Sequence, residues 1–137
     1  NVIGNYIFGL PDDTNATMRE TLELAIEAKC EFANFYCAMA YPGSKLYEMA
    51  LAKNWTLPAS WIGYSQHSFE THPLRTEALT AGEVLKFRDE AFLEYYKDES
   101  YLNFVKQKFG QNVAEHISDM TKIKLRRQLI ESNLHAA

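Results

Sequence analysis

Residues 1–14 have the sequence NVIGNYIFGLPDDT, and residues 32–44 have the sequence FANFYCAMAYPGS. Each stretch begins with a mostly apolar run of strand length and ends in a turn that contains glycine and proline. A helical pattern follows each turn, because apolar residues recur there every three or four positions. This order predicts a parallel strand–helix repeat, a class of fold that places its chemistry in the loops after the strands.

The first unit is predicted to consist of a strand over residues 2–8 and a helix over residues 16–28. The strand is apolar at most positions, so we expect both of its faces to be buried. Gly9 can adopt backbone angles closed to other residues, and Pro11 cannot continue a strand ladder. The first strand is therefore expected to end at this turn.

The second unit is predicted to have a strand over residues 32–40 and a helix over residues 45–53. The two strands then form a parallel pair joined by a right-handed helical crossover. Two strands alone leave exposed edges and an uncovered apolar face. We therefore expect further strands from upstream sequence or from a second chain.

Residues 54–79 are rich in aromatic residues and prolines but show no helical or strand period. A connection of this length is typical of a functional lid or of an ordered wrap over the fold, and both interpretations stay open. If it is a lid, the side chains expected to face a substrate are Tyr64, Gln66, His67 and Glu70. His67 and His72 lie five apart, which does not match the spacing of a metal-binding pair on a helix.

The remainder of the chain is predicted to be helical. Thr80 and Glu83 have the spacing of a capping box, which begins a helix. A second helix is expected over residues 101–109, with Ser100 as its cap and Gly110 as its end. A final helix is expected over residues 112–133. The chain thus divides into residues 1–53, a connection over 54–79 and a helical extension over 80–137.

Composition excludes several classes of protein. The 137 residues suffice for one ordinary domain, and 47% hydrophobic residues are typical of a folded protein. A formal net charge of −4 gives no basic excess for nucleic acid. No apolar run approaches the roughly 20 residues of a membrane span. Four cations, Lys122, Lys124, Arg126 and Arg127, are interpreted as charges near a helix C-terminus.

The two cysteines, Cys30 and Cys37, are too few for a disulfide framework and too far apart for the usual zinc motifs. We expect both to be reduced and buried, which suits a cytoplasmic protein.

The two turns resemble those of a known family. Residues 9–14, GLPDDT, resemble the Gly-Leu-Pro-Gly-Glu-Thr turn of radical S-adenosylmethionine enzymes. Residues 41–47, YPGSKLY, resemble their Tyr-Pro-Gly-Thr-x-Leu-Tyr turn, at a similar distance along the chain. The aromatic connection and the helices after it look like the C-terminal region of members that carry an N-terminal cobalamin-binding domain.

This resemblance implies an α/β fold in which the chain supplies the C-terminal βα units of a partial, TIM-like (β/α) barrel, followed by an α-helical extension. It also implies S-adenosylmethionine as a cofactor, a 4Fe–4S cluster and, in the cobalamin type, cobalamin. The family's Cys-x-x-x-Cys-x-x-Cys loop is absent from this chain. The cluster ligands are therefore expected upstream in the same polypeptide, and the fragment alone is expected to be inactive toward its unknown small-molecule substrate.

The resemblance assigns part of the adenosine pocket to the ends of the two strands. Ile7 and Gly9 match a Gly-x-Ile-x-Gly pattern in which Asn5 replaces the first glycine. Ile7 is then expected to pack on adenine, and backbone groups of the second turn to bind the adenine edge. The cofactor-binding residues implied in this way are Ile7, Gly9, Leu10, Pro11, Ala40, Tyr41 and Pro42. No residue of this chain is expected to be catalytic or to bind a metal.

Two alternatives remain open from the sequence. The chain could belong to a phosphate- or metal-dependent (β/α) barrel whose helix N-terminus after residues 9–11 holds a phosphate. Asp12 and Asp13 weigh against it, because their charges would repel that phosphate. Alternatively, residues 80–137 could be a non-catalytic helical module that folds alone and binds a protein partner.

Overall fold

The structure is a computed structural model that describes residues 1–134. Strand β1 pairs in parallel with strand β2, with Ile3 opposite Phe32 and Phe8 opposite Cys37, so the predicted parallel pair is confirmed. The elements in chain order are β1 (Ile3–Phe8), α1 (Asn15–Ala28), β2 (Phe32–Cys37), α2 (Lys45–Ala52), a single 3-10 turn (Trp61–Tyr64), α3 (Ala81–Lys97), α4 (Glu99–Phe109), α5 (Gln111–Met120) and α6 (Gln128–Leu134).

Local capping fixes where the two longest helices begin. Thr14 and Thr17 exchange side-chain and backbone hydrogen bonds at the start of α1. Thr80 and Glu83 do the same at the start of α3, which confirms the capping box predicted there. Such caps satisfy backbone N–H groups that have no partner within the helix. These local signals explain why the starts of both helices follow from the sequence.

One hydrophobic core joins the strands to the helical extension. The Phe35 ring of β2 stacks on Phe8 of β1, with ring centroids 5.8 Å apart. The Tyr95 ring of α3 meets Phe35 edge-on at 5.5 Å, and Tyr101 of α4 lies within the same core. The helices after residue 80 therefore bury their apolar face against the sheet, which disfavours a helical module that folds alone.

Side chains, not a third strand, cover the outer edge of β2. The buried Tyr96 hydroxyl accepts a hydrogen bond from Ala33 N at 3.0 Å and donates one to Ala33 O at 2.7 Å. The Gln66 amide likewise accepts from Cys37 N and donates to Cys37 O, each at 3.0 Å. Each side chain thus replaces both hydrogen bonds that a neighbouring strand would make.

The carbonyl between these two positions is also occupied. Arg88 Nε donates to Phe35 O at 2.7 Å, and the Arg88 side chain is 6% exposed. Ala33, Phe35 and Cys37, whose backbone groups point to the outer edge of β2, are therefore all hydrogen-bonded to side chains from elsewhere in the chain. Among residues 1–134 the sheet has two strands, so β1 provides the edge along which it could be extended.

The prediction that β1 is buried on both faces is wrong for the described chain. Phe8 is fully buried, whereas Ile3 is 56% and Ile7 is 49% exposed. The reason is that side chains alternate between the two faces of a strand and the helices cover one face only. The second strand also ends earlier than predicted, at Cys37, because its partner β1 ends opposite it at Phe8 and the chain turns at Gly9.

The C-terminal helices differ from the prediction at two places. Asp98, not Ser100, caps α4, since its carboxylate accepts from Tyr101 N at 2.8 Å. The single helix expected over residues 112–133 is two helices, separated by residues 121–127. The break leaves Arg127 2% exposed, so the interpretation of this basic cluster as charges at a helix C-terminus is wrong for that residue.

We predict that Tyr96→Phe lowers the free energy of unfolding by about 1–3 kcal/mol, because it leaves the buried N–H and C=O of Ala33 without partners. Burial raises the pKa of Tyr96, so its hydroxyl is a proton donor at neutral pH. Urea denaturation measures the change. The control is Tyr36→Phe, on the exposed face of β2, where we expect a change within about 0.5 kcal/mol. Equal effects of the two substitutions would contradict this role of the hydroxyl.

Candidate functional site

The uncovered face of the sheet ends next to the two turns, residues 9–14 and 41–47, on which the sequence places the candidate site. Facing residues on adjacent strands form three rows across it, Ile3 with Phe32, Asn5 with Asn34 and Ile7 with Tyr36. Because the strands are parallel, both carboxyl ends meet at the Ile7 end of this face. The candidate site is therefore an apolar surface at that end, next to both turns.

A pair of amides lies in the middle of this face. Asn34 Nδ2 donates to Asn5 Oδ1 at 3.1 Å, and both side chains are exposed. The pair separates the Ile7 row from the Ile3 row. Asn5 is the residue that departs from the glycine pattern of the resemblance, and its side chain is part of this surface.

The first turn is held by one carboxylate. Asp13 Oδ2 accepts from Gly9 N at 3.0 Å and from Leu10 N at 2.9 Å. Thr17 Oγ1 donates to the other oxygen of the same carboxylate at 2.7 Å. A phosphate bound at these amides would have to displace Asp13, and this disfavours the phosphate-binding alternative.

Gly9 has a structural role in this turn. Its φ of +80° lies in the left-handed region, and a Cβ there would stand 2.4 Å from Val84 Cγ1. The turn therefore packs directly on α3, and no other residue fits at position 9 without a shift. Gly9 is buried, whereas its neighbour Leu10 is 47% exposed and Pro11 is half-buried.

The second turn presents one aromatic side chain. Ala40 is 2% exposed and packs in a small second core beside α2, while Pro42 is exposed. The Tyr41 ring is 47% exposed and stacks on the buried Tyr64 with centroids 5.6 Å apart. The Tyr41 carbonyl accepts from Ser44 N at 3.0 Å. Of these three residues, Tyr41 combines an exposed side chain with a supporting contact.

The connection over residues 54–79 binds the ends of both strands. Leu74 N donates to Ala38 O at 2.9 Å, and Glu77 N donates to Pro11 O at 3.0 Å. It therefore behaves as an ordered wrap across the carboxyl edge of the sheet.

Two of the side chains proposed for a lid are used elsewhere. Gln66 is bonded to the edge of β2, and Tyr64 is buried beneath Tyr41. His67 lines a separate cavity beside α3, and Glu70 is exposed. The structure does not bring these four residues together as one substrate-facing surface.

The cysteines do not provide a metal site. Burial raises the pKa of the Cys37 thiol to about 12, so it is protonated at neutral pH and a poor metal ligand. Cys30 Sγ lies 3.9 Å from the Tyr6 hydroxyl. No group of three or more potential metal ligands occurs among residues 1–134. In the same part of the chain, no helix has the length and apolar composition that crossing a membrane requires.

Sequence reasoning missed the polar groups that arise from tertiary packing. Asn5 and Asn34 are visible as polar residues inside apolar runs, and that was the available signal for the amide pair. Arg88 and Arg127 gave a weaker signal, a cation within an otherwise apolar pattern. Arg88 donates to a carbonyl 53 positions away, and the acceptors of the Arg127 side chain lie 38 to 61 positions away, so no local rule identifies these contacts.

No family model matches the chain, and no solved structure matches it. The chain is 27% identical over 96 residues to a protein of Pyrococcus horikoshii named an uncharacterized methyltransferase. The match covers 70% of the chain but 20% of that relative, so the chain spans about a fifth of the relative's length. The chain thus has a methyltransferase homologue.

We predict that Gly9→Ala destabilises the fold by roughly 3 kcal/mol, since it adds a left-handed alanine and a clash with Val84. Gly43→Ala is the matched control, because Gly43 has a φ of +84° but no atom near the added Cβ. It should cost about 1–2 kcal/mol. Adding Val84→Ala to Gly9→Ala removes the clashing methyl groups. In urea denaturation, the double variant should lose less free energy of unfolding than the sum of the losses in the two single variants. If the two losses simply add, the clash is excluded.

Proposed function

We propose that this chain is the C-terminal portion of a radical S-adenosylmethionine enzyme that transfers a methyl group. The observation that carries the proposal is the placement of two family-like turns, residues 9–14 and 41–47, at the same edge of adjacent parallel strands beside an exposed apolar surface. The methyltransferase homologue supports the use of S-adenosylmethionine and methyl transfer. The radical type rests on the two turns.

The proposed architecture is a partial (β/α) barrel in which β2 is the last strand. The side chains of Tyr96, Arg88 and Gln66 are bonded to the backbone along the outer edge of β2. This occupied edge supports an open barrel that ends at β2. Preceding strands would then join at β1, and the uncovered face with Ile3, Asn5 and Ile7 would line the barrel interior. The helices after residue 80 would cover the outside of these last strands.

This chain's residues would bind and position the adenosine end of the cofactor. Ile7 and Leu10 offer exposed apolar area for adenine, and Tyr41 offers an aromatic surface held by Tyr64. Gly9 and Asp13 would fix the shape of the first turn without contacting the cofactor. The exclusion of water by these apolar side chains is their contribution to the reaction.

A 4Fe–4S cluster held by upstream cysteines would supply one-electron reduction of S-adenosylmethionine, with methionine as the leaving group. The described residues offer no ligand set for the cluster, so its cysteines, and any cobalamin-binding domain, would belong to upstream parts of the same polypeptide.

The experiment that tests the radical assignment is to sequence the coding region upstream of Asn1. A Cys-x-x-x-Cys-x-x-Cys loop followed by alternating strand and helix patterns would support it. A start codon immediately before Asn1, or an upstream barrel without these cysteines, would contradict it and leave the methyltransferase homology as the guide to function.

We predict that Ile7→Asn in the complete polypeptide weakens S-adenosylmethionine binding about tenfold, because it removes apolar area from the adenine contact. Ile3→Asn is the matched control, since Ile3 lies on the same strand and face about 13 Å away. Calorimetry on both variants measures the difference. Equal affinity of the Ile7→Asn variant and the unchanged protein would place the adenine elsewhere.

A further inference from the structure

A cavity lies between α3, residues 120–127 and α6, and none of the residues of the exposed sheet face line it. Its volume is about 650 Å³, within the range of small-molecule sites. We call it the C-terminal cavity. Its apolar lining consists of Phe92, Leu93, Met120, Ile123, Leu125 and Ile130.

The wall formed by residues 121–127 has a fixed anchor. Arg127 donates two hydrogen bonds to the Asp89 carboxylate, at 2.8 and 2.9 Å. It also donates to Ser68 O and Thr71 Oγ1, each at 2.9 Å, and to Gln66 O at 3.1 Å. A buried guanidinium with all these partners holds the chain in place. The cavity is therefore a built feature between packed elements.

Between this anchor and the end of α5, apolar side chains remain uncovered. Ile123 is 70% exposed and Leu125 is 37% exposed. Met120 and Ile130 on either side pack partly against the main core. Large apolar side chains around an open cavity are typical of a ligand site.

The cavity is positively charged although the chain as a whole is negative. Five cations and three anions line it, while the chain carries a formal net charge of −4. The three anions each have a cationic neighbour: Asp89 has Arg88 and Arg127, Glu90 has Lys86 at 3.8 Å, and Glu131 has Arg126 at 2.6 Å. Lys124 forms no ion pair within the described part of the chain.

His67 also lines the cavity, and the same cationic side chains act on its pKa. Partial burial lowers the pKa of His67, and the nearby Arg88 and Arg127 guanidinium groups lower it further. The Asp89 carboxylate acts in the opposite direction, and the net result is that a positive charge on His67 is disfavoured.

We propose that the C-terminal cavity binds a small amphipathic anion, an apolar chain or ring that carries one acidic group. The apolar part would lie against Phe92, Met120 and Ile123, and the acidic group near Lys124. The chemistry of the lining fits such a molecule, because the exposed part of the lining is apolar and the cationic side chains outnumber the anionic ones. This site is separate from the proposed adenosine pocket and does not depend on it.

Decanoate, used well below the concentration at which it forms micelles, is the probe. Isothermal titration calorimetry with decanoate should show saturable binding at one site. The cationic analogue decyltrimethylammonium should bind with much lower affinity. Lys124→Glu should weaken decanoate binding roughly threefold to tenfold, as expected for reversal of one partly exposed charge. Ile123→Ser should weaken binding of decanoate as well, through loss of apolar contact.

Two matched controls separate the cavity from general surface effects. Lys122→Glu reverses a charge in the same basic cluster, on a residue that is exposed and does not line the cavity. Leu24→Ser removes an exposed apolar side chain from α1. Neither should change decanoate affinity, and circular dichroism should show every variant folded. Equal binding of the cationic probe, equal loss in the controls, or no saturable binding by the folded chain would overturn the proposal.

Discussion

The outer edge of β2 is the place on which most of the architecture depends. A parallel strand needs hydrogen-bond partners for its outward N–H and C=O groups, and a buried edge without them costs several kcal/mol. Here the partners are the side chains of Gln66, Arg88 and Tyr96. Each comes from a part of the chain far from the strand in sequence. The sheet therefore requires both the connection and α3 in order to be complete on this side.

The same constraint explains why the helical extension is not a separate unit. Arg88 and Tyr96 lie on α3. Two more tyrosine hydroxyls bond to the residues just before β2: Tyr95 of α3 donates to Cys30 O and Tyr101 of α4 donates to Glu31 O, at 2.8 Å each. An isolated extension would expose these hydroxyls and the apolar face between them. The helices after residue 80 and the strands thus stabilise each other through the larger of the two cores.

The parts of the fold that follow from the sequence are those fixed by local signals. The apolar runs, the turn at Gly9 and the capping box at Thr80 each act within a few residues. The starts of both strands, the end of β1 and the start of α3 agree with the prediction to within one residue. The break at residues 121–127 could not be predicted, because its cause is the position of Arg127 beside Asp89 and the connection. Sheet-edge partners such as Gln66 are tertiary in the same way, and a pattern of apolar residues contains no information about them.

In the candidate site, the residues that make the first turn recognisable in the sequence are not the ones that are exposed to a ligand. Gly9 and Asp13 are the most recognisable residues of the first turn, yet Gly9 packs against Val84 and the Asp13 carboxylate accepts the turn's own amides. Both are needed to form the turn whether or not a ligand binds. Recognition of a cofactor must therefore fall to the exposed neighbours, Ile7, Leu10 and Tyr41. A turn motif of this kind indicates where a loop is placed, and the side chains beside the motif decide what the loop can bind.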